Sequence, residues 1–410
     1  MKIAFVHFYR KPNPDYANTV ASIRQRGHTV WLGEVTPNGN FVWSDGTGTM
    51  EMMPGFHQAI DRQASHPLSP ILTRYTVWKF LVSVRQMLRK LNPDIVHINP
   101  DSMAWMIPLG MPSTMKFIFD VKQINMGVTP TLTNRIRDWG LGVSWQISAR
   151  QIYDYACFDY YLAAERIMGP NWTRRSAAIP VGIDRAMLSA QMPTLQLGVE
   201  ESVRFLYIGS INRFRELELL LNAIQQMAST TSRFQVDFIG PDQTNGYYQD
   251  QIDKLQINHV VALKPPVHYS EIPDLLTNYH VGLAYNPARP TWDYQPTIKI
   301  LEYRAVGLPI LSTAVRSHRD FVEEGQNGFL LENKADLWAQ AMLRFVEDRA
   351  LLQQIYATAQ QMRRGVTHEE VAERHEQIYE QLLSSSQRHY STRNTRGPWY
   401  HVFRAGMRDS

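Results

Sequence analysis

Short apolar runs alternate with amphipathic stretches twice along this chain. KIAFVHF at 2–8 reads as a buried parallel strand, KPNPDYANTVASIRQ as a polar loop and a helix, and RQRGHTVWLGEV at 24–35 as a helix end, a Gly turn and a second strand. The stretch from 36 to 71 reads as a long loop rich in Gly, Ser and Met. TRYTVWKFLVSVRQMLRKL at 73–91 predicts an amphipathic helix, with Trp78, Phe80, Leu81, Val84, Met87 and Leu88 on its apolar side and Arg74, Lys79, Arg85, Arg89 and Lys90 on the other. Such a helix lies on an anionic membrane or packs on a sheet, and the pattern alone leaves both open. NPDIVHIN and MKFIFDVKQ (115–123) give a third and a fourth strand, 131–168 reads as helical with FDYYLAA as a further strand candidate, and RRSAAIPVGIDRAML leads into a linker, LSAQMPTLQLGVEES.

After the linker the pattern restarts. VRFLYIGSI at 203–211 is a buried strand ending in Gly209, NRFRELELLLNAIQQM an amphipathic helix, and FQVDFIGPD the next strand. VVALKPPV, SEIPDLLTNY, HVGLAYNP and PTIKILEYRAVGLPILST continue the alternation. Two such runs predict an α/β protein of two doubly wound domains facing across a cleft, with the boundary at 190/191. HEEVAERHEQIYEQLL (368–383) adds a last amphipathic helix. Residues 386–410 lose periodicity and gain arginine and aromatics, which suits either a disordered tail or a docking segment carrying Trp399, Tyr400 and Phe403.

A length of 410 residues suits two full cores, and 44% hydrophobic with 20% charged residues is the balance of a soluble globular protein. The single cysteine, Cys157, excludes an intramolecular disulfide, and there is no cysteine–histidine cluster for a structural zinc. The start of the chain turns polar too soon for a signal peptide, and no run of about eighteen apolar residues predicts a membrane span, so a cytoplasmic location is expected. Net charge is only +4 but unevenly spread: residues 1–190 carry 20 Lys/Arg against 13 Asp/Glu (+7), 191–385 carry 17 against 24 (−7), and the last 25 carry 5 against 1 (+4). A basic first half and tail point to an anionic partner: a membrane surface, a phosphorylated substrate or nucleic acid. With no recognition motif among the basic residues, nucleic acid is not expected.

PTIKILEYRAVGLPILST carries the first chemistry. Pro296 and Thr297 open a helix that Gly307 stops, so Lys299 and Glu302 stand one turn apart near its N-terminus, where free backbone N–H groups favour phosphate oxygens. A solvated Lys–Glu pair is the plainer account of the same two residues. In open α/β sheets ligands bind at the carboxyl ends of strands, which makes Lys122 and Gln123 candidates and Asp120 a weaker one.

These residues also carry a resemblance. Pro296, Lys299, Glu302, Tyr303, Ala305, Gly307 and Pro309 match the pattern P-x(1-2)-K-x-x-E-Y-x-A-x-G-x-P, YIGSINRFRELELLLNAI matches a strand-Gly-basic-helix element, and Gly325, Asn327, Gly328 and Phe329 match a G-x-N-G-hydrophobic turn. RGHTV, PDIVHIN and IPVGID add signatures in the first half. The chain resembles retaining glycosyltransferases of the GT-B architecture, two Rossmann-like domains, and within them glycosyltransferase family 4 (glycosyl transferases group 1). The resemblance implies an acceptor domain at 1–190, a nucleotide-sugar domain at 191–365, and a helix at 366–385 crossing back to the first domain. It implies that Glu302 binds the donor ribose hydroxyls and that Arg215 and Arg213 neutralise the donor diphosphate. The implied donor-binding set is Gly209, Ser210, Arg213, Arg215, Val267, Tyr294, Thr297, Lys299 and Glu302, with Lys122 and Arg215 as catalytic residues. Three positions depart from the family pattern: Tyr294 where many members carry a glutamate, beside Asp293; Ser210 where an arginine is usual; and Lys122 where a histidine is usual.

The implied activity is retaining transfer of a sugar from a nucleoside diphosphate-sugar to an acceptor hydroxyl, in cell-envelope or exopolysaccharide assembly. Neither a metal nor another cofactor is expected, since the nucleotide-sugar is a substrate. The expected partners are that donor, a glycan or lipid-linked acceptor and an anionic membrane surface, on whose inner face the chain would sit peripherally. A catalytically silent nucleotide-sugar binder, a sugar-nucleotide epimerase and a phosphorylase-like enzyme of the same architecture stay open.

Overall fold

The computed structural model describes residues 1–8, 14–36, 40–53, 69–99, 104–122, 132–169, 171–172 and 175–384; Gln123 and the 386–410 tail lie outside them. The described chain forms two compact units, one of Met1–Gly182 together with the helix that begins at His368, the other of Ile183–Thr367.

In the first unit the strands and helices are β1 (Lys2–Val6), α1 (Pro14–Gln25), β2 (Thr29–Val35), β3 (Phe41–Ser44), β4 (Thr49–Met53), α2 (Ser69–Leu91), β5 (Ile95–Ile98), β6 (Lys116–Val121), α3 (Leu132–Ile147), β7 (Tyr155–Phe158), α4 (Tyr161–Met168) and β8 (Ser176–Ala178). The sheet order is β4-β3-β2-β1-β5-β6-β7-β8. It is parallel from β2 to β8, while β3 and β4 extend it as an antiparallel hairpin. This hairpin occupies part of the stretch expected to be loop. Phe41 and Trp43 are fully buried, and Phe41 packs edge-on against Phe80 of α2 with ring centroids 5.0 Å apart.

The apolar side of α2 (Val77, Phe80, Leu81, Val84, Met87, Leu88) is buried, so the helix is a sheet-packed one. Two of its basic residues are committed as well: Arg85 and Arg89 donate to the carbonyls of Leu109 and Gly110. The helical reading of 131–168 needs correction, because α3 ends at Ile147, a π turn (Ser148–Ile152) follows, and YACF enters the sheet as β7. Tyr153 turns into the core against Phe119, and the consecutive buried residues Ala156, Cys157 and Phe158 suit a strand covered on both faces better than a helix. FDYYLAA is accordingly a strand end and the start of α4. The closing helix, α12 (His368–Ser384), packs against α1, with Glu376 accepting from Arg26 and His28.

The second unit comprises α5 (Arg185–Ser189), β9 (Val203–Ile208), α6 (Glu218–Ala228), β10 (Phe234–Ile239), α7 (Tyr247–Lys254), β11 (Val261–Lys264), α8 (Ile272–Leu276), β12 (Val281–Ala284), α9 (Ile298–Val306), β13 (Ile310–Thr313), β14 (Gly328–Leu331), α10 (Ala335–Glu347) and α11 (Arg349–Gln361). It starts before the 190/191 boundary because α5 belongs to its core: Met187 is fully buried, and Arg363 donates to the carbonyls of Met187, Leu188 and Ala305. The six strands are all parallel in the order β11-β10-β9-β12-β13-β14. The order reverses direction between β9 and β12, which is where such sheets open a crevice at their carboxyl ends.

Tyr303 sets the depth of that crevice. β12 pairs with β9 only at Val281↔Phe205 and Gly282↔Leu206. Beyond that point the Tyr303 hydroxyl, projecting from α9, donates to the Leu206 carbonyl (3.0 Å) and accepts from the Ile208 N–H (3.2 Å). Its ring passes over Gly282, where a Cβ would lie 2.4 Å from Cδ2. Tyr303→Phe should leave two buried backbone groups of β9 unpaired and lower unfolding stability by about 2–3 kcal/mol, read by denaturant titration.

Candidate functional site

Three elements meet at the carboxyl end of β9. β9 runs into Gly209, whose φ of +135° is open to glycine, and Gly240 after β10 crosses so close that a Cβ there would lie 2.1 Å from the Gly209 carbonyl oxygen. The second element is the single 3₁₀ turn Arg213–Arg215, capped by Asn212, whose side chain accepts from the Arg215 N–H. The third is α9, which begins after Thr297 and ends at Gly307 in the left-handed conformation.

Lys299 and Glu302 lie one turn apart on the inner face of α9, at 5% and 4% exposure. The Lys299 ammonium stands over the Tyr207 ring, 3.4 Å from its centroid, beside the Gly209 turn, and no acceptor among the described residues receives its hydrogen bonds. Burial pushes it well below the usual lysine range; Arg215 adds repulsion, and Glu302 only partly offsets the two. Burial likewise pushes the Glu302 carboxyl up to about 7 against the opposing pull of Lys299. The pair does not form a direct ion pair; each group is desolvated more than it is compensated.

Arg215 lies in the same group of side chains. Its guanidinium donates to Asn286 Oδ1 (2.8 Å) and stacks on Trp292, 4.6 Å from the ring centroid. Asn286 lies two residues past the end of β12. Thr297, at the N-terminus of α9, and Asn286 both approach Nε2 of the buried His318, at 3.3 and 3.4 Å.

Of the remaining candidates, Ser210 is half-buried next to Gly209, and Val267 is half-buried past β11, two strands from β9. Arg213 joins a different cluster: its guanidinium stacks on Tyr247 at 3.6 Å and faces Glu218, lining an open cavity of about 790 Å³ with Glu216, Asn222, Tyr285 and Asn333. Tyr294 ends the short helix Pro290–Asp293, and Asp293 is committed to accepting from the Arg316 N–H. The turn motif around Gly325 is likewise internal, with Asn327 bridging the Glu323 N–H and the Phe321 carbonyl.

Lys122 belongs to the first unit, just past β6, with its ammonium 5.7 Å from the Tyr16 ring centroid. Asp120 is buried and accepts from Tyr16 (2.8 Å) and His97 (3.0 Å). Burial would raise its carboxyl, but Lys122, His97 and His375 together hold it well below the usual range. Among the described residues no cluster of three His, Cys, Asp or Glu side chains stands ready to hold a metal.

Residues 202–348, spanning β9 to α10, match the model of the family described as glycosyl transferases group 1. The match lies wholly within the second unit. A D-inositol 3-phosphate glycosyltransferase of Geodermatophilus obscurus is 28% identical over 186 residues, 42% of this chain, and the match spans only 40% of that relative's length. Two solved structures resemble nearly the whole chain. Sucrose-phosphate synthase of Thermosynechococcus elongatus superposes with a TM-score of 0.67 at 15% identity, covering 94% of this chain and 99% of that one. HepE of Anabaena, solved with UDP and glucose, gives 0.63 at 16%, covering 94% and 100%. At these identities the likeness is one of fold: the two Rossmann-like units of GT-B proteins.

His318, Asn286 and Trp292 join the site without any sequence motif having marked them, while Tyr207 was marked only as the first residue of the YIGSINRF element. Asn286 alone had a usable signal, its place just past a strand.

The raised Glu302 carboxyl has a signed consequence. Between about pH 4.5 and about 7 the folded protein binds a proton at Glu302 that the unfolded chain does not, so this group stabilises the fold at low pH and loses that contribution as pH rises through about 7. Glu302→Gln should flatten stability against pH across this window, measured by chemical denaturation from pH 4.5 to 8.

Proposed function

We propose that this chain is a glycosyltransferase that binds a nucleoside diphosphate-sugar at the carboxyl end of β9 and transfers its sugar to an acceptor hydroxyl with retention of configuration. The observation that carries the reading is the buried Lys299 ammonium, which has no acceptor among the described residues and stands beside a glycine turn. A buried cation with nothing to bond to is stabilised by an incoming anion, and a diphosphate brings several oxygens. Arg215 and the N–H groups opening α9 supply further positive charge at the same place. Glu302, one turn deeper, accepts the two hydroxyls of a ribose, since a carboxylate suits a vicinal diol. The family match over 202–348 and the Anabaena structure solved with UDP and glucose support the same assignment.

Transfer then proceeds on one face of the sugar: the anomeric carbon–oxygen bond to the diphosphate breaks, the acceptor oxygen bonds to that carbon, and the departing phosphate takes the acceptor's proton. Lys299 and Arg215 hold the charge that grows on the leaving group, and the proposed chemistry uses no protein-held metal. Arg215→Ala and Glu302→Ala should each lower kcat/KM by roughly a hundredfold or more against the active donor in a panel of UDP-, GDP- and ADP-sugars. Near-normal rates in both variants would sink this site.

The acceptor side of the proposal is a lipid-linked or glycan hydroxyl presented at an anionic membrane surface on the cytoplasmic side. The supporting feature is α3. Trp145 anchors it against Phe119 of β6, and on the opposite side Ile136, Trp139, Val143 and Ile147 form a stripe at i, i+3, i+7 and i+11. Ile136, Trp139 and Ile147 are 62%, 73% and 43% exposed, with the exposed Arg135, Arg137 and Arg150 around them. Apolar residues flanked by arginines suit the boundary of an anionic bilayer. The protein should therefore sediment with phosphatidylglycerol vesicles and much less with phosphatidylcholine, and Ile136→Ser/Trp139→Ser should abolish the difference. Equal sedimentation of wild type and double variant would remove α3 from this role.

A further inference from the structure

His318 is fully buried in the second unit, follows β13, and its ring touches three polar side chains, Asn286, Thr297 and Ser312, without itself lying on the helix that carries Lys299 and Glu302. The direction of every hydrogen bond around it follows from one fact: a guanidinium can only donate. Arg215 Nη1 donates to Asn286 Oδ1 at 2.8 Å, which turns the Asn286 amide NH₂ toward His318. That NH₂ also can only donate, so His318 Nε2, 3.4 Å away, must offer a lone pair. The Thr297 hydroxyl, 3.3 Å from the same nitrogen, donates there as well.

The ring proton consequently sits on Nδ1, which donates to Ser312 Oγ at 2.7 Å, and the Ser312 hydroxyl in turn donates a hydrogen bond to the Ala284 carbonyl (3.4 Å) or the Thr313 carbonyl (3.3 Å). A protonated ring would set an N–H against the Asn286 NH₂. Burial first, then the charge of Lys299 and Arg215, hold the ring neutral, with its pKa down to about 3.

Asn286 is fixed at its backbone too. Its N–H donates to Thr313 Oγ1 (3.0 Å), and its carbonyl accepts from Thr313 Oγ1 (2.8 Å) and Asn333 Nδ2 (3.0 Å). What remains adjustable is its side chain, which His318 and Arg215 hold from opposite ends.

We propose that His318, as the neutral Nδ1–H tautomer, is a positioning residue: through Asn286 it fixes the Arg215 guanidinium, and through Thr297 it ties that guanidinium to the N-terminus of α9. The two anion-binding elements of the site, a 3₁₀ turn after β9 and a helix before β13, are thereby held in one register by a single imidazole. The proposal rests on the reading of Arg215 as a diphosphate ligand.

The test is a double-mutant cycle on the full chain, read as affinity for whichever of UDP, GDP and ADP the wild type binds most tightly, and as kcat and KM for the matching sugar donor. His318→Phe should weaken affinity about tenfold in the wild-type background and less than twofold in Arg215→Ala, with KM affected more than kcat. Asn286→Ala, which cuts the chain one step nearer to Arg215, should reproduce this and serves if His318→Phe does not fold. Nitrogen-15 NMR of the wild type should show the Nδ1–H tautomer, with no titration down to pH 5. Additive losses in the cycle, or an Nε2–H ring, would overturn the positioning role and leave the diphosphate site standing. An Arg215→Ala protein that binds all three nucleotides as the wild type does would overturn both.

Discussion

Lys299 carries its ammonium into the protein at the carboxyl end of β9, rests it over the face of Tyr207, and finds no acceptor among the described residues. An ion pair with Glu302 on the same helical face would have been the simplest compensation, yet the carboxyl is itself pushed toward its neutral form. The fold tolerates this because the surrounding frame is over-determined. Gly240 crosses the Gly209 carbonyl too closely to admit a side chain of its own, Gly282 leaves room for Tyr303, and the Tyr303 hydroxyl caps the backbone where β12 leaves β9. Buried, under-compensated charges of this kind are typical of functional sites.

The same frame divides the EY pair. Glu302 and Tyr303 are neighbours in sequence and leave α9 about 100° apart. One side chain accepts no hydrogen bond from another described residue and faces the site; the other is spent on the β9 backbone and on Gly282. Half of a motif that looks functional is therefore architecture. The turn at Gly325–Phe329 goes further, since Asn327 satisfies its own loop.

In the first unit the division falls differently. α2, the most basic helix, has its apolar side in the core and two arginines on the 109–110 carbonyls. α3 keeps an apolar stripe outside although its sequence is no more amphipathic to the eye. Periodicity shows that a face exists; it does not show what covers it, because that depends on which side of the sheet the helix lands on.

What the sequence by itself determined is the alternation of strands and helices, the second parallel sheet, the limits of α9, and the placing of Gly209, Arg215, Lys299 and Glu302 at strand and helix ends. Those features follow from local rules: period, capping, and the need for glycine where φ is positive. Tertiary structure alone decided that Phe41 and Trp43 pair a hairpin onto β2, that Arg213 turns to Tyr247 while Arg215 joins Lys299, and that His318, in an unremarkable RSHRD stretch, links Asn286 to Thr297. The physical reason is the same in each case. A side chain's burial and hydrogen-bond direction are set by partners dozens of residues away, and no local pattern records which donor will face which acceptor.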